Sequence, residues 1–247
     1  MNPPPSAGVR FEPAARARAD LSGATAVVVD AIRATTTIVA ALAAGCREVV
    51  PYRTDAEVRA EARRRPPGTV VTAGERGGVR IEGLDLNNSP SAMTADRVAG
   101  RTLLLTTTNG TQAILDAMPA ETVLVAAMPN RRAVARRAAA LGRRVVLLCA
   151  GTGGGVSCED TLVAGAVLEV LVGEPGGEAW HLEDSAVVAL AAWRTAAGRL
   201  GEVFHWTRGG KAIADLGLEA DLVVCAQVDT MDVVPVARGR PPVIVAG

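Results

Sequence analysis

The chain has few aromatic residues, a single lysine, two histidines and no long hydrophobic run. Aromatic side chains for base stacking are almost absent, and acidic residues balance the arginines, so no nucleic-acid partner is predicted. No apolar stretch reaches the length of a membrane span. The first residues lack a basic segment followed by an apolar one, so no secretory signal is predicted.

Several kinds of active site are also missing. The four cysteines form no C-x-x-C pair, so neither a zinc site nor a redox motif is predicted, and a reducing cytoplasmic location is expected. There is no G-x-S-x-G motif for a serine triad and no P-loop. A dinucleotide fingerprint starting at Gly151 fails because Val156 occupies the third glycine position.

Apolar strands and alanine-rich helices alternate along most of the chain, which predicts an α/β fold with three α/β/α layers around a mostly parallel, mixed central sheet. The predicted strands are residues 25–29, 48–52, 69–72, 102–105, 122–126, 145–149, 222–225 and 233–236. The predicted helices are residues 37–44, 55–65, 111–118, 131–141, 160–172, 183–197 and 210–216. The last two strands are expected to add an antiparallel member to the sheet.

The chain divides into a short arm and one large domain. Residues 1–23 are rich in proline and alanine, which predicts a loosely attached arm with a short helix near 14–19. Residues 24–247 are long enough to form a single α/β domain, or two intimate halves, around a sizeable core. The apolar composition also permits a homodimer interface.

Polar loops follow the predicted strands, and in a parallel sheet such loops collect along one edge, where ligands bind. The first loop runs from Asp30 through Arg33 to the threonines at 35–37. Free backbone N–H groups, hydroxyls and a guanidinium at a helix start can bind an anion. The alternative is that Thr35 and Thr36 only cap the backbone.

The second and third loops carry similar chemistry. Glu75 and Arg76 lie among glycines, which allow a ligand to approach the backbone closely; the alternative is a surface hairpin with a solvated ion pair. Thr108, Asn109 and Gly110 lead into the next helix. They form either an anion site or an ordinary Asn-Gly turn.

The fourth loop is rich in glycine and ends on two adjacent acids. Gly151 and Thr152 open it, and Glu159 and Asp160 close it at the start of a helix. Adjacent carboxylates suit Mg²⁺, which prefers oxygen ligands, but they also complement a helix dipole.

Taken together, these segments resemble the 2-phosphosulfolactate phosphatase family over about residues 24–237. The strings that carry the resemblance are residues 29–37, 74–78, 86–90, 106–111, 149–152 with 159–160, and 221–229 followed by 233–235. The resemblance implies a Mg²⁺-dependent phosphatase with an α/β/α fold that removes phosphate from 2-phospho-3-sulfolactate, a step towards coenzyme M.

As a hypothesis that builds on this resemblance, individual residues are expected to have particular roles. The expected catalytic residues are Asp30, Arg33, Glu159 and Asp160. The expected metal ligands are Asp30, Glu75, Glu159 and Asp160. The expected substrate-binding residues are Thr35, Thr36, Arg76, Thr108, Asn109, Gly110, Gly151 and Thr152, with Arg76 on the sulfonate or carboxylate. Asp30 would either attack the phosphorus itself or ligate the metal while water attacks.

Two alternatives remain open at this point. The same chemistry could act on another small phosphorylated hydroxy acid. A non-catalytic protein that binds anionic metabolites or nucleotides would keep Arg33 and the threonines but would not require the acids.

Overall fold

The computed structural model describes residues 5–174 and 176–247. The strands are β1 (Ser6–Arg10), β2 (Thr25–Val29), β3 (Glu48–Tyr52), β4 (Val70–Arg76), β5 (Val79–Arg80), β6 (Thr102–Thr106), β7 (Thr122–Ala126), β8 (Val145–Cys149), β9 (His181–Leu182), β10 (Pro235–Arg238) and β11 (Val243–Ala246). The helices are α1 (Pro13–Ala17), α2 (Ala34–Ala43), α3 (Asp55–Arg64), α4 (Ala95–Val98), α5 (Gly110–Ala117), α6 (Arg131–Ala140), α7 (Cys158–Gly173), α8 (Asp184–Ala196), α9 (Leu200–Trp206), α10 (Arg208–Asp215) and α11 (Glu219–Cys225). None of the helices in the described residues is long and apolar enough to cross a bilayer.

All the described strands belong to one sheet, in the order β5-β4-β6-β3-β11-β10-β7-β2-β8-β1-β9. Strand β5 pairs antiparallel with β4, and the C-terminal hairpin β10–β11 runs antiparallel to β7 and β3. The other pairs are parallel. The hairpin therefore joins two parallel groups of strands, and the predicted three-layer fold with a mixed sheet is confirmed.

Helices α2 and α5 fill the space between these two groups of strands. Helix α2 is buried from Ala34 to Leu42, so neighbouring elements cover it on every side. It contacts both β3 and β7, while α5 contacts β2 and β3. The sheet therefore curls around both helices, so the ends of β2 and β6 come together although four strands separate them in the sheet.

The predicted loose arm is wrong for its strand-forming part. Ser6–Arg10 lies inside the sheet, where it pairs parallel with β8 on one side and β9 on the other. Ala7 and Val9 are buried there, so even a five-residue segment contributes to the core. The division into an arm and one domain, or two intimate halves, stays a prediction.

The predicted strands of the tail are also partly wrong. Residues 222–225 lie in helix α11, with Leu222 and Cys225 buried and Val223 exposed. That three-residue spacing is helical, but an apolar run of four residues does not distinguish a helix from a strand. The antiparallel strands are instead Pro235–Arg238 and Val243–Ala246.

Helices α7 and α8 pack closely because Gly165 has no side chain. A Cβ atom at this position would lie 2.6 Å from the carbonyl carbon of Ala189 and 2.8 Å from the Cβ of Trp193. Both distances are far below a normal van der Waals contact, and neither neighbour can move without shifting α8.

We therefore expect Gly165→Ala to lower the free energy of unfolding by about 1–3 kcal/mol, because the added methyl overpacks the helix interface. Urea denaturation followed by circular dichroism would measure the change. Gly173→Ala is the control, since Gly173 lies in the same helix with no atom within 4 Å of its added Cβ. Equal effects of the two substitutions would contradict the proposed close packing.

Candidate active site

A cavity of about 250 Å³ lies at the carboxyl ends of the strands. Eight residues predicted for the site line it, namely Asp30, Arg33, Glu75, Thr108, Asn109, Gly151, Thr152 and Asp160. Loops that are far apart in sequence therefore meet at one place, as the position of each loop after its strand predicted. The opposite wall includes Gly209, Ala212 and Ile213 of α10, and no feature of the sequence predicted that these residues lie there.

Asp30 directly follows β2, at the start of α2. Its Oδ1 accepts a hydrogen bond of 3.3 Å from the Ala34 N–H, while its Oδ2 accepts none within the described residues. Burial, followed by the negative charge of Glu75, raises the pKa of Asp30 from 3.8 to about 7. The arrangement thus leaves one carboxylate oxygen free in the cavity at the end of a strand.

The start of α5 lies directly against Asp30. A Cβ atom on Gly110 would come within 2.5 Å of the Oδ2 of Asp30 and would overlap the Cβ of Ala34. Only glycine therefore lets the two helix starts approach each other this closely. The backbone N–H groups of Asn109 and Gly110 donate no hydrogen bond within the described part of the chain; Asn109 lines the cavity, whereas Gly110 is buried and does not.

Asp160 connects the loop after β2 to the loop after β8. Its Oδ1 accepts a hydrogen bond of 2.8 Å from the Ala31 N–H, and its Oδ2 accepts one of 2.9 Å from the Gly151 N–H. Burial, followed by the charge of Asp30, raises the pKa of Asp160 well above its usual range. The carboxylate thus fixes two loops while it lines the cavity.

Glu75 has a comparable role on the other side of the cavity. Its carboxylate accepts hydrogen bonds from the Thr108 N–H at 2.7 Å, the Thr108 hydroxyl at 3.1 Å and the Gly78 N–H at 2.8 Å. It therefore connects the end of β4 to the loop after β6. Gly74, Glu75 and Arg76 belong to strand β4 rather than to a free loop, because β4 extends to the hairpin with β5.

Arg33 lines the cavity and is held in place by Asp221, which belongs to the segment 221–229 of the family resemblance but had no predicted role. It donates to Asp221 at 2.6 Å, and both side chains are 1% exposed. The second Asp221 oxygen accepts hydrogen bonds from the hydroxyls of Ser89 and Ser91. No spacing in the sequence connects Asp221 with Arg33, since 188 residues separate them.

Several predicted residues do not reach the cavity. The Thr35 hydroxyl accepts from the Asp30 N–H and donates to the Asp30 carbonyl, and the Thr36 hydroxyl donates to the Ala31 carbonyl. Both threonines thus fix the backbone, which is the capping alternative raised by the sequence. Arg76 donates to the Thr106 hydroxyl at 3.1 Å and to the Arg53 carbonyl, outside the cavity.

Glu159 is also placed beside the cavity rather than in its wall. Its carboxylate accepts hydrogen bonds of 2.7 Å from the Ser157 hydroxyl and 2.6 Å from the Thr207 hydroxyl. Thr207 in turn caps helix α10 by accepting from the Gly210 N–H. Glu159 therefore connects the start of α7 to the helix that forms the opposite wall.

The lining of the cavity has an excess of acidic groups. Asp30, Glu75 and Asp160 contribute three carboxylates, while Arg33 is the only basic side chain among the described lining residues. Arg33 is already paired with Asp221. An anion can therefore bind here only if a cation or protons reduce the local negative charge.

Comparison with known proteins agrees with the resemblance seen in the sequence. The family described as 2-phosphosulpholactate phosphatase matches residues 11–240. The chain belongs to this family. The predicted family is therefore confirmed.

Relatives named "Probable 2-phosphosulfolactate phosphatase" cover most of the chain. The protein from Symbiobacterium thermophilum is 42% identical over 88% of this chain and 92% of its own length. The protein from Thermosynechococcus vestitus is 37% identical over 89% of this chain and 91% of its own length. The protein from Deinococcus radiodurans is 40% identical, with 85% and 86% covered.

No group of three or more carboxylate, imidazole or thiolate side chains in residues 5–174 and 176–247 is arranged to hold a metal ion by itself. For this phosphatase family member, the donors available in the cavity are the hard oxygens of Asp30, Glu75 and Asp160. Those oxygens suit a cation whose remaining ligands are water and substrate oxygens, as is usual for Mg²⁺.

We expect Asp30→Asn to stabilise the metal-free protein at pH 8. The folded-state pKa of Asp30 is about 7, against 3.8 for an ordinary aspartate, so the ionised side chain destabilises the folded state. That cost disappears as the pH falls below about 4, where both states bind the proton. The substitution should raise the free energy of unfolding by about 1–4 kcal/mol at pH 8 and change it little at pH 4.

Urea denaturation at both pH values after treatment with a chelator would measure the effect. Asp232→Asn is the matched control, because Asp232 is an exposed aspartate outside the cavity. A lower free energy of unfolding for Asp30→Asn than for the wild type at pH 8 would show that ionised Asp30 does not destabilise the folded state.

Proposed function

We propose that this chain hydrolyses 2-phospho-3-sulfolactate to 3-sulfolactate and phosphate with Mg²⁺ as its cofactor. Membership of the family makes the chain an enzyme of the phosphoric monoester hydrolase class. The name that its relatives carry supports the substrate. A place in coenzyme M biosynthesis, a cytoplasmic location and a homodimer stay predictions of the sequence.

The observation that carries the Mg²⁺ requirement is the acidity of the cavity. The substrate bears a phosphate, a carboxylate and a sulfonate, yet three carboxylates line the cavity and its one arginine is paired. Bringing such an anion next to buried carboxylates is unfavourable without a cation between them. Asp30, with one free oxygen, and Asp160, in the same wall, would hold the ion together with phosphate oxygens. When bound, Mg²⁺ would neutralise charge on the phosphoryl group.

The start of α5 is suited to the phosphoryl oxygens. The N–H groups of Asn109 and Gly110 are free of hydrogen bonds within the described residues and lie at the positive end of the helix. Gly110 contacts Asp30, so a phosphate held there is beside the free carboxylate oxygen. Glu75 keeps the preceding residue, Thr108, in place through two hydrogen bonds. These donors would stabilise charge that develops on the phosphoryl oxygens during transfer.

Asp30 has two chemically reasonable roles in this arrangement. Its free oxygen would either attack the phosphorus, displacing the hydroxy acid and giving an aspartyl phosphate that water then hydrolyses, or ligate the metal while a water molecule attacks. Borohydride reduction during turnover would convert an aspartyl phosphate at Asp30 into homoserine, which mass spectrometry detects. Turnover without homoserine at this position would support attack by water.

We expect phosphate release from 2-phosphosulfolactate to be lost after chelation and restored by Mg²⁺. Asp30→Asn should lower kcat by at least about a thousandfold, because it removes the nucleophile or the metal ligand. The exposed variant Asp232→Asn should retain wild-type turnover. Phosphate release would be measured for 2-phosphosulfolactate, 2-phospholactate and other phosphorylated hydroxy acids.

The pattern of activities distinguishes the alternatives. Preference for another acid in the panel would keep the chemistry and change the substrate. Ligand binding without Mg²⁺ and without phosphate release would favour a non-catalytic binding protein and contradict the proposed function.

A further inference from the structure

Asn88 is a polar residue of the cavity wall that makes no side-chain hydrogen bond to the described part of the protein. It lies in the segment 86–90 that belongs to the family resemblance but has no role in the chemistry above. The residue is 3% exposed and lines the cavity; its Nδ2 donates no hydrogen bond within the described residues, and its Oδ1 is buried without a partner. Its neighbour Asn87 differs, since its amide donates to the Gly78 carbonyl and accepts from the Asn88 N–H.

A buried amide without partners is unfavourable unless a ligand satisfies it. Leaving such a group desolvated and unpaired destabilises the folded state, and for this reason buried polar groups are nearly always hydrogen-bonded. Asn130 shows the usual situation in this chain. It is fully buried, its Oδ1 accepts from the Ala127 N–H, and its Nδ2 donates to the carbonyls of Val125 and Val233.

The position of Asn88 indicates which part of the substrate it meets. The next residue, Ser89, hydrogen-bonds Asp221, which pairs with Arg33, and Arg33 also donates to the Gly78 carbonyl. This wall, formed by the segments at Gly78, at Asn88 and in α10, contributes no carboxylate to the cavity. The three carboxylates come instead from the ends of β2 and β4 and from the start of α7.

We propose that Asn88 binds the acid group of the substrate that is not the phosphate. The Nδ2 of Asn88, which donates no hydrogen bond within the described residues, donates one to an oxygen of a sulfonate or carboxylate next to the guanidinium of Arg33. Asn88 thereby selects phosphomonoesters that carry a second oxyanion. This role was expected for Arg76, which lies outside the cavity. The assignment rests on the proposed function, because that function defines the substrate.

The test compares three phosphomonoesters that differ only in their other acid groups. The substrates are 2-phosphosulfolactate, 2-phospholactate without the sulfonate, and isopropyl phosphate without either acid. Asn88→Ala should lower kcat/KM for 2-phosphosulfolactate by about ten- to a hundredfold, mainly through KM, since it removes one hydrogen bond to a charged group. Asn88→Asp should lower it further, because it places a negative charge beside the bound oxyanion. Neither variant should change kcat/KM for isopropyl phosphate by more than about twofold.

The three substrates also identify the acid group. A loss limited to 2-phosphosulfolactate assigns the sulfonate, and a loss shared with 2-phospholactate assigns the carboxylate; both results support the proposal. An equal loss of kcat/KM for isopropyl phosphate would show that Asn88 contacts the phosphoryl group. Unchanged kcat/KM for all three substrates would show that its amide contacts only water. Either of these two results overturns it.

Stability provides a second readout that does not depend on turnover. Asn88→Ala should not lower Tm without ligand and should raise it slightly, because it removes a buried unpaired amide and no hydrogen bond within the described protein. The control Asn130→Ala removes three such bonds, so it should lower Tm yet leave the ratio of kcat/KM values between the substrates unchanged.

Direct binding separates a failure of the proposal from a failure of the proposed function. Titration calorimetry with 3-sulfolactate should show binding at least about tenfold weaker to Asn88→Ala than to the wild type. If the wild type hydrolyses none of the three esters, the proposed function fails, and weaker binding of 3-sulfolactate by the variant would still support the role of Asn88. Equal binding by both proteins, or no binding by the wild type, would overturn it.

Discussion

The close approach of two helix starts is the constraint on which the site depends. Helices α2 and α5 begin side by side because Gly110 leaves room for Asp30 and Ala34. Both helices are enclosed by the two groups of parallel strands, and the β10–β11 hairpin joins those groups into one sheet. The hairpin thus belongs to the sheet that encloses both helices, although it contributes no residue to the cavity lining.

Most acids around the cavity have a structural task as well as a chemical one. Asp160 and Glu75 each hold two segments together by accepting backbone hydrogen bonds, and Glu159 does so through two hydroxyls. Asp30 is the exception, because one of its oxygens is free. Burying these groups together raises the pKa of Asp30 and of Asp160, which favours a bound cation. In their ionised form these buried carboxylates therefore destabilise the folded state at the cavity.

The two walls of the cavity differ in chemistry. The acidic wall comes from the ends of strands and the start of α7, where the sequence placed its polar loops. The other wall comes from Gly78, Asn88 and α10, together with Arg33, which Asp221 holds in position. Such a division suits a substrate with two kinds of anionic group, one that reacts beside a cation and one that only has to be recognised.

The sequence by itself determined the layered α/β fold, because continuous apolar strands and alanine-rich helices alternate with the periods of those elements. It also placed Asp30, Glu75, Asn109 and Asp160 at the ends of elements, where a parallel sheet collects its loops. The tertiary structure alone decided which side chains face the cavity. Thr35 and Thr36 turned to their own backbone, and Asp221, 188 residues from Arg33, became its partner. The pattern of apolar residues within a segment shows only whether it forms a helix or a strand. The contacts of these side chains depend instead on how the whole sheet brings distant segments together.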